Sequence, residues 1–302
     1  EHTRVDEFLT SLLAICKPLE PFEMPLLDAH GATLAEDIYA GERLVLRSGT
    51  RIRSTQIGLA ASIGRDHLPT RPHPRVVVLS AGPDLVEPGQ PLKNASDEYE
   101  TNSWLLTTAV REVGAVAYRV HSIPDDEAQL QKVIEDQLVR ADLIIISGER
   151  NDDSFDLISR TLAGLGAITT VDIAIEASGR HNFGTIGPDK TPVVTLPGDP
   201  ISAYISFELF VRPMIRTMLG AATIHRPSVK AALEKPIESA PGMRSYIRAI
   251  LNDDGKSVTP LANQDEQSTL SDANAFIAVS ETDTSVKTGD QVTVVVLERR
   301  YI

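Results

Sequence analysis

Several short stretches of this 302-residue chain carry side chains suited to binding an anionic small molecule. Leu196-Pro197-Gly198-Asp199-Pro200-Ile201-Ser202-Ala203 stands between an apolar β-branched run and a long helical segment. Glycine permits a sharp turn there, and free backbone N–H groups at a helix N-terminus favour an anion. The same residues read equally as a plain strand-to-helix turn, since prolines and glycine are common punctuation. Asn102 and Ser103 open another helix, where they either donate to a ligand phosphate or cap the helix. Asp152, Asp153 and Asp156 follow a third apolar run, as carboxylates that hold Mg²⁺ or as a solvated acidic turn. Arg244 and Arg248 are an even number of residues apart in a strand-like segment, which turns both to one side. Two such guanidiniums clamp a phosphate or carboxylate, or pair with Asp253 or Asp254. Trp104, the only tryptophan, reads as core packing of its helix.

The elements that must position these residues are legible from hydrophobic spacing. Val5, Phe8, Leu9, Leu12 and Ile15 recur at helical intervals, with Cys16 in the core and Pro18 and Pro21 ending the helix. Residues 25–40 read as a short helix and an extended arm, 43–52 as an alternating segment turning on Ser48-Gly49, and 54–63 as a short helix. Three prolines and two histidines between Arg65 and Pro74 read as a linker. The runs at 75–79, 116–120, 142–146 and 192–196 read as strands, and 101–113, 125–139, 155–163 and 201–219 as helices. That alternation predicts a parallel sheet covered on both faces. Ligands of such sheets bind outside the carboxyl ends of the strands, so 80–84, 147–153 and 197–200 should converge on one edge. After Pro227 short alternating runs, 245–251, 276–279 and 291–297, predict a small β-barrel or sandwich.

Composition narrows the classes. With 42 acidic against 29 basic side chains and a net charge of −13, the chain is a poor match for a nucleic-acid binder. The longest apolar runs are strand-sized, short of the ~20 residues of a membrane helix. One cysteine, Cys16, allows no internal disulfide, and the N-terminus has no signal-like pattern, so a cytoplasmic location is expected.

The order of these motifs resembles the MoeA/gephyrin E-domain family, the molybdenum insertases of molybdenum-cofactor synthesis. The family's arm is similar to residues 5–40, its following hairpin and helix to 41–64, and its molybdopterin-binding domain to 74–220. Its barrel domain is similar to 227–302, including Gly242-Met243-Arg244-Ser245-Tyr246-Ile247-Arg248-Ala249 and Leu270-Ser271-Asp272-Ala273-Asn274-Ala275-Phe276-Ile277. The fold so implied is α/β: a parallel-sheet, MogA-like molybdopterin-binding domain (70–226), an N-terminal helical arm (1–69) and a C-terminal small β-barrel (227–302). The family's second domain, with its Ser-Ala-Met-Asp-Gly-Tyr-Ala motif, has no counterpart, the chain passing from Ile38-Tyr39-Ala40 straight to Gly41-Glu42.

By resemblance, Asp84 and Asp156 would be the catalytic carboxylates, Asp152 and Asp153 would hold Mg²⁺, and Asn102, Ser103, Gly148, Pro197, Gly198 and Asp199 would hold the pterin. The chain departs from the pattern where that chemistry sits. The family's Thr-Gly-Asp-Glu appears as Ala81-Gly82-Pro83-Asp84, and its Gly-Gly-Val-Ser-x-Gly-Asp-x-Asp as Gly148-Glu149-Arg150-Asn151-Asp152-Asp153-Ser154-Phe155-Asp156. Its Lys-Pro-Gly-Lys falls on Glu176-Ala177-Ser178-Gly179, without either lysine. These departures favour a gephyrin-like homodimeric scaffold that binds a peptide tail of a membrane receptor, or of a division protein such as FtsZ. Tyr246, Phe276, Arg244 and Arg248 would line its groove, near the glutamine-rich turn 264–267. The alternative is the insertase reaction, molybdate entering adenylylated molybdopterin with Mg²⁺; a third possibility is molybdopterin held without turnover.

Overall fold

The computed structural model describes residues 2–176 and 179–298. Its centre is a six-stranded sheet in the order Gly166–Asp172, Arg180–Ile186, Thr191–Leu196, Leu143–Ser147, Arg75–Ser80, Val116–Arg119. The last four run parallel, and the first two pair antiparallel at one edge. Alternation explains why the central strands are apolar at nearly every position. Val76, Val78, Leu143 and Ile145 enter one core, while Val77, Leu79, Ile144 and Ile146 enter the other. Helices Glu127–Leu138 and Asp152–Leu165 cover the second face. Asn102–Val113, the helical run from Pro200 to Met218, and the N-terminal helix Val5–Ala14 cover the first.

The long helix contains a π segment, Phe207–Val211, a distortion that often marks a site where a side chain must be re-aimed. Here the segment carries the buried Glu208, whose carboxylate accepts from Arg226 Nε and Nη2 at 2.8 and 3.0 Å and from Arg212 Nε at 2.7 Å. Arg226 Nη1 also donates to the barrel carbonyl of Leu297 at 2.7 Å, so one ion cluster ties the α/β layer to the barrel.

The barrel is closed by Ser228–Leu233, Ser257–Pro260, Ser245–Leu251, Ala275–Val279 and Gln291–Val296 in that order, around Ala231, Leu233, Val258, Ile277 and Val294. The N-terminal region is helical only in part, at Val5–Ala14 and Ser54–Ser62 as the spacing predicted. Residues 25–40 form no helix; Phe22–Pro25 and Thr33–Leu34 flank His67–Arg71 in a three-stranded sheet, because Pro25 and Gly31 break the chain into turns. The proline-rich stretch read as a linker therefore contains a central strand. Where the family's second domain would be inserted, Ile38–Ala40 and Arg43–Leu46 form a hairpin closed by Gly41 and Glu42 alone, Gly41 supplying a φ of +60°.

Candidate functional site

Three parallel strands, Arg75–Ser80, Leu143–Ser147 and Thr191–Leu196, end together, and the loops that follow them meet at one edge, as the alternation predicts. They meet through glycines. A β-carbon on Gly148 would stand 2.3 Å from Ser154 Oγ, and one on Gly198 would stand 2.0 Å from the Glu149 carbonyl. Ser154, at the position where the family resemblance places an aspartate, is buried; its Oγ donates to the Ala81 carbonyl at 2.9 Å and accepts from Glu149 N–H at 3.0 Å. The loop after Leu143–Ser147 is thus wedged between its two neighbours.

The wedge carries a buried carboxylate. Glu149 is 6% exposed; its Oε1 accepts from the Asp84 backbone N–H at 2.6 Å and its Oε2 from Asn151 Nδ2 at 2.5 Å. Where the family resemblance places glycine, this chain fills the base of the site with its own anion.

Asn102 and Ser103 lie at the start of the helix Asn102–Val113, both buried, but they do different work. Asn102 Nδ2 donates to the carbonyls of Gly198 and Pro197, at 2.8 and 3.3 Å, which joins this helix to the turn at the end of Thr191–Leu196. Its Oδ1 is buried with no hydrogen-bond partner. An acceptor in that state fits an N–H donor on a ligand. Ser103 is committed internally: its N–H and Oγ donate to Glu100, and its Oγ accepts from Arg119 Nε at 2.7 Å. Glu100, buried, also accepts from Ser80 Oγ at 2.7 Å. Arg119 continues to Glu87 and stacks 4.2 Å from the Trp104 ring centroid. Trp104 is therefore not core; it is half exposed, its face covered by a guanidinium. Sequence reasoning missed Glu100 because an isolated carboxylate before a helix looks like a solvated turn.

Cavities of about 210 and 590 Å³ lie side by side at this edge. The first holds Gly148, Pro197, Gly198, Asp152 and Arg180; the second runs between the helix after Pro200 and the barrel, past Glu176, Ser202, Tyr246 and Arg248. A narrow third, about 30 Å³, reaches Asn102 and Tyr99. Asp199 lines the two larger cavities and caps its helix through Ser202 N–H and Oγ, both at 2.9 Å.

The carboxylates assigned to metal and catalysis do not converge. Asp152 is bound by Arg180 Nη2 at 2.5 Å, Asp156 lies 3.8 Å from Arg180 Nη1, and Asp153 is exposed on the first turn of its helix. Asp84 is across the edge, its carboxylate accepting from Ser96 Oγ at 3.0 Å. Among the described residues no group of three or more His, Cys, Asp or Glu is arranged to hold a metal. The described residues present do not fit Mg²⁺. Glu176 lines the larger cavity and accepts from Ser245 Oγ; Ala177 and Ser178 lie outside the described residues.

The proposed peptide anchors are also placed otherwise. Phe276 is fully buried against Tyr204, centroids 6.2 Å apart, and Tyr246 is 9% exposed, because both plug the seam between barrel and α/β layer. Arg244 and Arg248 do not form a clamp. Arg244 precedes Ser245–Leu251, so strand alternation does not govern it; it is bound to Asp6 and Glu281, which hold it well above the usual arginine range despite burial. It lines a separate cavity of about 370 Å³, with Tyr246 and Phe276. Arg248 is buried in the strand and donates to Thr269 Oγ1 at 3.2 Å. Gln264 holds the adjacent loop through the Arg248 backbone.

Residues 77–217 match the family described as "Probable molybdopterin binding domain", and residues 230–297 match "MoeA C-terminal region (domain IV)". The chain belongs to the MoeA family. Molybdopterin molybdenumtransferase 1 of Mycobacterium tuberculosis is 32% identical over 278 residues, 89% of this chain and 65% of that protein. Molybdopterin molybdenumtransferase 2 of the same organism is 34% identical over 274 residues, 88% and 66%. The chain thus spans just under two thirds of the length of these curated relatives. In fold it is similar to the molybdopterin biosynthesis MoeA protein from Pyrococcus horikosii, TM-score 0.85 at 20% identity, covering 99% of this chain and all of that one. A molybdenum cofactor biosynthesis protein from Pyrococcus furiosus gives 0.78 at 23%, covering 98% of this chain and all of that one. The MoeA-like fold, with its MogA-like sheet and closed barrel, is as the sequence implied. No helix among the described residues is long and apolar enough to cross a membrane.

Proposed function

We propose that this MoeA-family chain binds adenylylated molybdopterin in the cleft at the carboxyl edge of the sheet and takes part in inserting molybdate there. The observation that carries the reading is the buried, unpartnered Asn102 Oδ1 beside the Gly198 turn, at one end of a row of neighbouring cavities whose largest lies against the barrel. Asn102 would accept from a ligand N–H, while its Nδ2 keeps the Pro197-Gly198 turn closed around the bound group. Asp199, as the helix cap, fixes that turn from the other side. The names of the curated relatives support this reading over a scaffold. The burial of Phe276 and Tyr246 takes away the anchors on which the scaffold was placed. The test is AMP release from adenylylated molybdopterin with molybdate, measured against a protein blank, beside direct binding of the nucleotide. Binding with release supports the reading; binding without release overturns the transfer part, and absence of both overturns it entirely.

A further inference from the structure

Three arginines line the cleft, and their states differ. Arg180 is bound to Asp152 and stacked 4.4 Å from the Phe155 ring centroid, and Arg248 is buried on Thr269. Arg150 alone of the three donates no hydrogen bond among the described residues. Its nearest carboxylates, Asp199 and Glu98, stand at 3.7 and 4.0 Å, the outer limit of an ion pair. Arg150 is also the one residue that lines all three cavities, the 210, 590 and 30 Å³ spaces alike. Its side chain is 57% exposed, so its unused donors face the solvent where the three spaces meet.

At the base of the same edge, the Asp84 N–H that would meet an oxyanion already meets Glu149 Oε1. Glu149 is held there by the Gly198 turn pressed on its carbonyl and by Gly82 facing its carboxylate. An external anion cannot enter that position without displacing a buried carboxylate, and it is repelled by the same charge nearby. The base is closed to anions, and the mouth offers a guanidinium held only by long ion pairs to Asp199 and Glu98, its hydrogen-bond donors unused. We infer that the phosphate-bearing end of the ligand is held by Arg150, displaced outward from the sheet edge because the Glu149 carboxylate occupies the base. This rests on the proposed function for the identity of the ligand, although the anion preference itself follows from the two side chains. Guanidinium suits the task because its planar donors bind two phosphate oxygens together.

Titration calorimetry with adenylylated molybdopterin, and separately with inorganic pyrophosphate, tests the inference on the wild-type chain and on Arg150→Ala, Arg150→Lys and Glu149→Gln. Loss of a charge-assisted hydrogen-bond pair weakens binding by about tenfold to a hundredfold. Arg150→Ala should show that loss for both probes, and Arg150→Lys should recover part of it. Glu149→Gln keeps the side chain's shape and removes its charge, and should strengthen pyrophosphate binding several-fold. Arg150→Ala affinities within twofold of wild type, with an unchanged melting curve, overturn the assignment while leaving the proposed function standing. If the wild type binds pyrophosphate through Arg150 but not adenylylated molybdopterin, the proposed function fails and the anion site stands. If it binds neither, both fail.

Discussion

Gly82 and Glu149 are fitted to each other across the edge of the sheet: a β-carbon on Gly82 would stand 2.4 Å from Glu149 Oε1. Gly82 also has a φ of +155°, which disfavours any side chain. Gly82→Ala therefore meets two penalties, a clash and a backbone strain, together roughly 2–4 kcal/mol. Adding Glu149→Ala should recover the steric part and leave the strain. A double-mutant cycle by urea denaturation checks this: a strongly non-additive pair is expected, and additive losses would show that the two residues do not share the space.

The Glu208 cluster should be the strongest single tie between the barrel and the α/β layer. Burial pushes the Glu208 carboxyl up, but Arg226 and Arg212 outweigh it and hold it below the ordinary glutamate range. Glu208→Gln leaves two largely buried guanidiniums without their counter-charge, and breaking such a pair costs about 3–5 kcal/mol. The expected result is a markedly lower melting temperature and earlier protease cleavage near Arg226. A melting temperature within a degree of wild type would remove the cluster as a tie.

What the sequence made legible followed from patterning with a physical basis. The alternating βα rhythm gave the parallel sheet, its loop-bearing edge and the covering helices, because strands buried on both faces must be apolar throughout. The strands Gly166–Asp172 and Arg180–Ile186 were not legible, since an edge pair with His181, Asn182 and exposed threonines lacks an apolar run. At the site, Asn102 meets Pro197 and Gly198, and each was singled out in the sequence because turns and helix starts announce themselves locally. Arg150 carried no signal, because an arginine in a loop gains meaning only from the three spaces that meet around it. Phe276 misled for the opposite reason: a barrel strand's outer face is solvent in isolation and core once the helix with Tyr204 packs on it.

We propose that the chain forms the homodimer implied by the family resemblance, whatever the cleft binds. Light scattering at micromolar concentration should give twice the 32.8 kDa of the chain. A mass of one chain, unchanged on tenfold concentration, would set the dimer aside.

His181 should make the stability of the α/β layer depend on pH. It lies in Arg180–Ile186, packed on Phe8 at 5.4 Å between centroids, with Nδ1 donating to the Thr195 carbonyl at 2.8 Å. Burial pushes its pKa down to about 4 from 6.5, against the opposing pull of the Thr195 carbonyl and Asp172. The folded protein thus takes up this proton later than the unfolded chain does. The neutral histidine's contribution is complete above pH 6.5 and is lost as the pH falls from there towards 4, roughly 3 kcal/mol when fully lost. Asp6, Glu208 and Glu281 are also held low, by Arg244 for the first and last, but their ordinary values of 3.8 to 4.5 put their losses at lower pH. Urea midpoints between pH 6.5 and 5 therefore isolate the histidine. The wild type should lose stability steadily across that interval, and His181→Asn, which keeps a donor for Thr195 but cannot take up the proton, should show a flatter slope from a lower starting point. Equal slopes in the two proteins would mean that His181 does not control the acid sensitivity of this layer.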